Sequence, residues 1–229
     1  MSLILAIESG TEICSVAIVK DGGEVLALRE SSVGRDHARL IAAFADELLC
    51  EVGIVASQLT AVAVSKGPGS YTGLRVGVSF AKGMCYALGI PLIGVASLEA
   101  LCCAARMKEE FESGAVLLPM IDARRMEVYT QPFDGEGREM ADVESVIIDE
   151  GSFERWRTSA KEVVMFGDGA AKCCEVLPWV KFVDVAPSAV AVAKVAAQRE
   201  ARGESEDVAY FEPFYLKEAV VTKSKKRYF

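Results

Sequence analysis

The chain has 229 residues, 52% hydrophobic and 25% charged, enough for one large domain or two small lobes with a real core. Lysine and arginine total 25 against 33 aspartate and glutamate, a net charge of -8. That argues against a protein gripping nucleic acid unaided through a basic face, but not against a subunit whose partner supplies one. Seven cysteines form no C-x-x-C; with Cys102-Cys103 and Cys173-Cys174 adjacent, they read as small buried apolar residues in a reducing compartment. The N-terminus lacks a charged leader, Leu3 to Ile7 is too short for a signal peptide, and no apolar run reaches the roughly 18 residues of a membrane span. The expected location is the cytoplasm.

In chain order, Leu3 to Ile7 is an apolar run expected as a buried strand, and Glu8-Ser9-Gly10-Thr11 as a turn. Cys14 to Val19 and Gly23 to Glu30 are two further strands, and Asp21-Gly22 between them is a hairpin signal. Asp36 to Cys50 is a helix that Asp36 can cap; Leu40, Ile41, Phe44, Leu48 and Val52 share one face. His37 in its first turn is the single histidine, and no ligand partner stands at helical spacing, so an exposed or interface role is expected rather than a metal.

The most informative stretch is Ala61 to Arg75, which runs on as a helix to about Leu88. It reads as strand, glycine turn, helix: Ala61 to Val64 is short and apolar, and Gly67, Pro68 and Gly69 break it. Ser70 or Thr72 can cap the helix. A glycine loop entering a helix leaves N–H groups that suit an anion. Yet no Walker A pair follows, and the dinucleotide fingerprint lacks its last glycine. Both a plain tight turn and a phosphate- or partner-contacting loop stay open. The helix carries two apolar stripes, Leu74, Val78, Ala81, Cys85 and Leu88 on one side and Val76, Phe80, Met84 and Ala87 on the other. A helix lying on a sheet in water needs one. Either this chain covers the second stripe or another protein does. Gly89 ends the helix, Pro91 to Val95 is a strand, and Ser97 can cap a helix from Leu98 to Arg106.

Ser65-Lys-Gly-Pro-Gly-Ser-Tyr-Thr-Gly-Leu-Arg-Val-Gly77, with Ala81-Lys-Gly83 and Ile90 to Ala100, resembles the signature of the TsaB (YeaZ-like) family. That resemblance implies an α/β chain with the actin-like, sugar-kinase/Hsp70-type ATPase (ASKHA) fold, built from two ribonuclease-H-like lobes with mixed sheets. In kinases of that fold the first turn holds metal and phosphate, which places Glu8, Ser9 and Thr11 in question. The catalytic TsaD relatives carry a His-x-x-x-His pair where this chain has His37 and Ile41, so the resemblance implies no metal site here. A Ser-His-Asp triad lacks any G-x-S-x-G elbow.

The second lobe starts with the apolar run Ala115 to Ile121, the turn Asp122-Ala-Arg-Arg125, and the alternating stretch Glu127 to Phe133; Asp134-Gly135 is another hairpin signal. By internal duplication Asp122 is expected to face Glu8 across the lobes, where two carboxylates could hold a metal-nucleotide; a surface pair with Arg124 or Arg125 is the other reading. Val143 to Ile148 is a strand, and Ser152 can cap a short helix. Val163 to Phe166 leads into Gly167-Asp-Gly-Ala170 and a helix, with Gly167 and Gly169 as nucleotide-loop candidates or a plain turn. Pro187 begins the last helix, Glu212 to Lys217 is expected to pack back on the body, and Thr222 to Phe229 is a basic tail.

The expected organisation is a first lobe over residues 1–106 carrying partner-binding helices and a smaller second lobe over 107–229. The resemblance implies a non-catalytic scaffold for a TsaD-type enzyme making tRNA threonylcarbamoyladenosine. A TsaE-type ATPase joins the assembly, and tRNA is met indirectly through it. A homodimer through the same face is a further hypothesis for the chain without its partner, and no membrane is expected. The expected interface is His37, Leu40, Ile41, Phe44, Leu74, Arg75, Val78, Ala81, Lys82 and Cys85. The candidate nucleotide or phosphate loop is Glu8, Ser9, Thr11, Gly67, Gly69, Ser70, Thr72, Asp122, Gly167 and Gly169. No cofactor is required; ATP or ADP with Mg²⁺ at a composite interface is the candidate ligand. The alternative is an ATP-dependent kinase or ATPase of the same fold, with a peptidase a third reading.

Overall fold

The computed structural model describes residues 1–32 and 36–217. Strands β1 (Leu3–Glu8), β2 (Cys14–Lys20) and β3 (Glu24–Ser31) form an antiparallel meander. Asp21 and Gly22 both take positive φ, 48° and 73°, the twist that a tight hairpin needs. Helix α1 (His37–Val52) ends on Gly53 in the left-handed region. It leads through a short 3-10 turn (Ala56–Gln58) to β4 (Ala61–Gly67), parallel to β1. Helix α2 (Tyr71–Leu88) follows; the Ser70 hydroxyl accepts the Gly73 N–H at its start and Gly89 ends it. Strand β5 (Leu92–Ala96) completes a five-stranded sheet ordered β3-β2-β1-β4-β5, and α3 (Ser97–Lys108) leaves it.

The second sheet is built on β6 (Ala115–Asp122), with β7 (Glu127–Thr130), β8 (Phe133–Asp134) and β9 (Glu144–Ile147). Helix α4 (Glu154–Ser159), β10 (Glu162–Phe166), the single turn α5 (Ala171–Cys174) and β11 (Lys181–Phe182) come next. The order is β11-β10-β6-β7-β9, with β8 also on β6. The last helix, α6 (Ala189–Ala201), is capped by Ser188 and lies against the first sheet.

Both central strands read as continuous apolar runs because both their faces are covered. On β1, Leu3, Leu5 and Ile7 enter the core beneath α1 and α2, while Ile4 and Ala6 enter the core with α6. On β6, Ala115, Leu117 and Ile121 meet α3, and Val116, Leu118 and Met120 point the other way. Helix α3 serves both lobes: Leu98, Leu101, Cys102 and Ala105 pack on the second sheet and Ala100 on the first-sheet core.

Three expected caps differ. The Asp36 carboxylate pairs with Arg39 and caps nothing. Ser97 is the first residue of α3 rather than its cap, and its hydroxyl accepts the Gly67 N–H at 3.1 Å. The Ser152 hydroxyl closes a local turn on Asp149. In each case a nearer polar partner takes the side chain that a helix end would have used. The helix after Gly167 to Ala170 shrinks to one turn. The basic tail from Thr222 lies outside the described residues. All seven cysteines are free, and among the described residues no helix is long and apolar enough to cross a membrane.

The stripe Leu74, Val78, Ala81 and Cys85 is buried within the chain, the last three in the first core, and is not offered outward. Val78, only 3% exposed, sets the expected outcome: Val78→Asp loses roughly 3–5 kcal/mol of stability, because a carboxyl is forced among aliphatic groups. Urea unfolding of the purified variant checks this; a native midpoint would mean that the face is open.

Candidate functional site

The turn after β1 carries the acidic residue that a phosphate-transferring relative would use. Glu8 is 1% exposed. Its Oε1 accepts the Gly10 N–H at 2.6 Å and the Ser65 hydroxyl at 3.1 Å. No lysine or arginine pairs with it among the described residues. Burial lifts its carboxyl from the usual 4.5 to about 7, against the lowering effect of those hydrogen bonds, and the Asp168 charge pushes it up further. The Ser9 hydroxyl is buried without a hydrogen-bond partner. Thr11 is buried too, and its hydroxyl accepts the Ile13 N–H.

The glycine loop is filled by this same turn. The Ser70 N–H donates to Gly10 O at 2.6 Å. A Cβ on Gly69 would overlap Gly10 O, one on Gly73 the Ser9 carbonyl, and one on Gly77 the Ser9 hydroxyl. Gly67 has φ 110° and lies under the Phe214 carbonyl. These glycines permit close backbone approach. That corrects the reading of Gly67, Gly69 and Ser70 as an open phosphate cradle; the space belongs to the chain itself. Thr72 is exposed beside it in the first turn of α2.

Across the lobes, Asp122 ends β6. Its Oδ1 accepts the Arg124 N–H at 2.9 Å and pairs with Lys172. The carboxylate whose charge reaches Glu8 is Asp168, not Asp122. Asp168 accepts the Asp122 N–H at 3.1 Å, and loss of hydration raises its own carboxyl, although the residue keeps an exposed edge. Sequence reasoning fixed on the flanking Gly167 and Gly169 and passed over the aspartate between them. Those glycines press on Met120 and on the Ile121–Asp122 backbone. Among the described residues no group of three or more His, Cys, Asp or Glu side chains could hold a metal. A buried, half-neutral Glu8 with Oε1 engaged does not fit a magnesium nucleotide held by this chain alone.

The helix pair α1–α2 divides the expected interface residues. Leu40, Ile41, Leu74, Val78, Ala81 and Cys85 are buried within the chain, correcting their assignment to a docking surface. His37 is half-buried, with Nε2 3.3 Å from Ile13 O. Phe44 is half-buried and Arg75 exposed. The Lys82 ammonium donates to the Ala209 and Phe211 carbonyls at 3.1 and 2.8 Å. It thereby pins residues 206–217 across the flank of α2. Along this strap Glu206 N–H bonds Leu92 O, Phe211 enters the first core, and Tyr215 stacks on Tyr71 with ring centroids 4.8 Å apart. On the rest of α2, Val76, Phe80, Met84 and Leu88 are half-buried against the first core, while Ala87 is exposed and Tyr86 86% exposed.

The family profile described as "TsaD: tRNA N6-adenosine threonylcarbamoyltransferase" matches residues 30–224. The chain is 29% identical to the tRNA threonylcarbamoyladenosine biosynthesis protein TsaB of Escherichia coli, over 96% of each chain. It is 37% identical to a tRNA N6-adenosine threonylcarbamoyltransferase of Nitratidesulfovibrio vulgaris over 47% of this chain and 34% of that one. The structure of YeaZ from Pseudomonas aeruginosa superposes with a TM-score of 0.81 at 26% identity, covering 94% of this chain and 100% of that one. An inorganic polyphosphate/ATP-glucomannokinase from Arthrobacter shares the fold alone, with a TM-score of 0.51 at 12% identity over 89% of this chain and 100% of that one. The fold is therefore of the actin-like, sugar-kinase ATPase type.

Glu8 also makes stability depend on pH. Its folded pKa, about 7, lies above the usual 4.5, so the folded state holds a proton that the unfolded state releases. Stability is highest below about 4.5, falls as pH rises through that window and levels off above 7. Glu8→Gln is expected to remove this slope and to gain up to about 3 kcal/mol over the wild type at alkaline pH. Denaturant melts of both proteins across the range check it; parallel curves would show that Glu8 carries no buried proton.

Proposed function

The chain belongs to the TsaD-type family in its TsaB (YeaZ-like) branch, and on that premise we propose that it is a non-catalytic scaffold of the tRNA N6-threonylcarbamoyladenosine synthase, docking a TsaD-type catalytic subunit. The observation that carries the reading is the contrast between two regions of the first lobe. The turn where a kinase of this fold would hold phosphate is filled by the chain's own backbone. The outer side of α2, by contrast, presents exposed Tyr86 and Ala87, flanked by Val76, Phe80 and Met84, which are half-buried against the first core. Apolar surface of that kind favours association by about 25 cal/mol per Å² buried, before the costs of binding.

In this reading the partner performs the transfer and this chain holds it in its working conformation. A TsaE-type ATPase joins the assembly, and tRNA engages the complex as a whole. ATP or ADP with Mg²⁺ would need a composite site completed by the partner. A second copy of the chain takes the same face when the partner is absent. The kinase or ATPase alternative has less support, because Glu8 is buried and no metal-binding cluster stands among the described residues.

Ala87→Arg tests the docking face without disturbing the fold, since the site is exposed and a cation suits the last turn of a helix. The variant is expected to keep its melting behaviour and to bind the TsaD-type protein of the same organism at least tenfold more weakly. Omitting the chain is expected to abolish tRNA modification by the remaining components. Undiminished binding by the variant would move the interface off α2, and ATP turnover by the isolated chain would favour the enzyme.

A further inference from the structure

The strap over residues 206–217 leaves a cleft of about 290 Å³ between itself and α2. Arg75, Ser79 and Lys82 line it from the helix, and Phe211, Glu212 and Pro213 from the strap. Tyr71 and Tyr215, stacked on each other, also border it. Val78 and Phe211, 3% and 8% exposed, tie this lining to the first core. The volume lies near the lower limit of roughly 300 Å³ for small-molecule pockets, which gives room for one side chain rather than for a whole nucleotide.

The cleft holds two cations that no acid neutralises. Neither Arg75 nor Lys82 has a carboxylate within ion-pair range among the described residues, whereas Arg29, Arg155 and Arg199 do. The Lys82 ammonium is held by the Ala209 and Phe211 carbonyls, which carry no net charge. Glu212 shares the cleft without pairing with either cation. Arg75 is already ordered. Its Nη1 donates to the Tyr71 hydroxyl at 3.2 Å, and its guanidinium lies 5.1 Å from the centre of the Tyr71 ring. One of its five N–H groups is engaged in this way, and a planar fork fixed in place costs little further order when it binds. Arg124 and Arg125 also lack an acid among the described residues, but they stand in the open on the β6–β7 turn, where water solvates them.

The cleft also opens onto the outer side of α2. Tyr71, Arg75, Ser79, Lys82 and Tyr86 follow one another at steps of four, four, three and four, so they form one stripe. It runs from the cleft to the most exposed side chain of the helix, roughly 16 Å along the axis from Arg75 to Tyr86.

We infer that the cleft between α2 and the strap is an anchor pocket for a carboxylate side chain, Asp or Glu, of the TsaD-type partner. A guanidinium fork matches a carboxylate two oxygens at a time, and the Lys82 charge adds to the attraction. Tyrosine and arginine around a small cleft are the usual makings of an interface anchor. A docked protein also brings its own cover against water, which a free anion in an open cleft does not, and exposed charges are screened by salt. The identity of the partner rests on the function proposed above; the pocket and the charge it selects are the new element.

The test is calorimetric titration of the full chain with the TsaD-type protein of the same organism, over a salt series. Arg75 and Ser79 are exposed, so variants at both are expected to keep native melting curves. Arg75→Glu is expected to weaken binding about tenfold or more at low salt, with the deficit shrinking as salt rises. Arg75→Lys is expected to lose only about threefold, the charge being kept and the fork lost. Ser79→Phe fills the cleft at constant charge and is expected to weaken binding about tenfold. Against Arg75→Glu, lysine in place of the partner's surface acids, one at a time, is expected to recover affinity at one position. Unchanged affinity in either Arg75→Glu or Ser79→Phe, or recovery at no position, overturns this inference and leaves the scaffold reading standing. Saturable binding of glutarate or of ATP with Mg²⁺ to the isolated chain, lost in Arg75→Glu, overturns it in favour of a small-molecule site. If the wild-type chain does not bind the TsaD-type protein at all, the scaffold reading fails and this inference with it.

Discussion

The contact between the Ser9–Gly10 backbone and the glycine side of α2 sets most of the first lobe. Gly69, Gly73 and Gly77 each lack a Cβ where one would overlap that turn, and the Ser70 N–H closes on Gly10 O. Two backbones can meet at this distance only where side chains are missing. Once they meet, the rotation of α2 about its axis has no freedom left. Val78, Ala81 and Cys85 enter the first core, Leu74 is buried beside Gly10 and Gly67, and Val76, Phe80 and Met84 stay half-buried against that core. The same contact fills the start of the helix, where an anion would otherwise bind. The filled turn and the orientation of α2 are thus one event seen from two sides.

Glu8 lies at the end of that contact. Its carboxyl accepts hydrogen bonds from Gly10 and Ser65 but pairs with no lysine or arginine among the described residues, while the Asp168 charge adds to the effect of burial in disfavouring its ionisation. A carboxyl in this setting tends to keep its proton near neutral pH. It serves as a hydrogen-bonded part of the turn more readily than as a metal ligand. The lobes are joined elsewhere. Helix α3 inserts side chains into the cores of both sheets, and the strap from Glu206 to Lys217 runs from Leu92 over α2 to Glu127.

Charge is laid out as unevenly as apolar surface. Most arginines in the described chain are matched to neighbouring acids, as Arg199 is to Glu99 between α6 and α3. The β6–β7 turn departs from this, because its acids are taken by lysines arriving from other segments. An acidic protein can therefore present a local positive edge without any change in its net charge.

The amino-acid sequence by itself determined the elements whose causes are local. The three-strand meander, the Asp21-Gly22 turn, the Ser70 cap and the Gly89 stop follow from residue types within a few positions of each other. The signature from Ser65 to Ala100 was enough to carry the family and its fold. The tertiary structure alone decided which of two apolar stripes on α2 is core, since helical spacing marks apolar positions without saying what lies opposite. It alone decided that the charge felt by Glu8 is that of Asp168 rather than Asp122, because position in a turn does not fix which carboxylate lies nearer in space. It alone assigned the loop glycines to backbone contact: a glycine kept for a neighbouring strand and one kept for a phosphate look the same in sequence, as both answer to the missing Cβ.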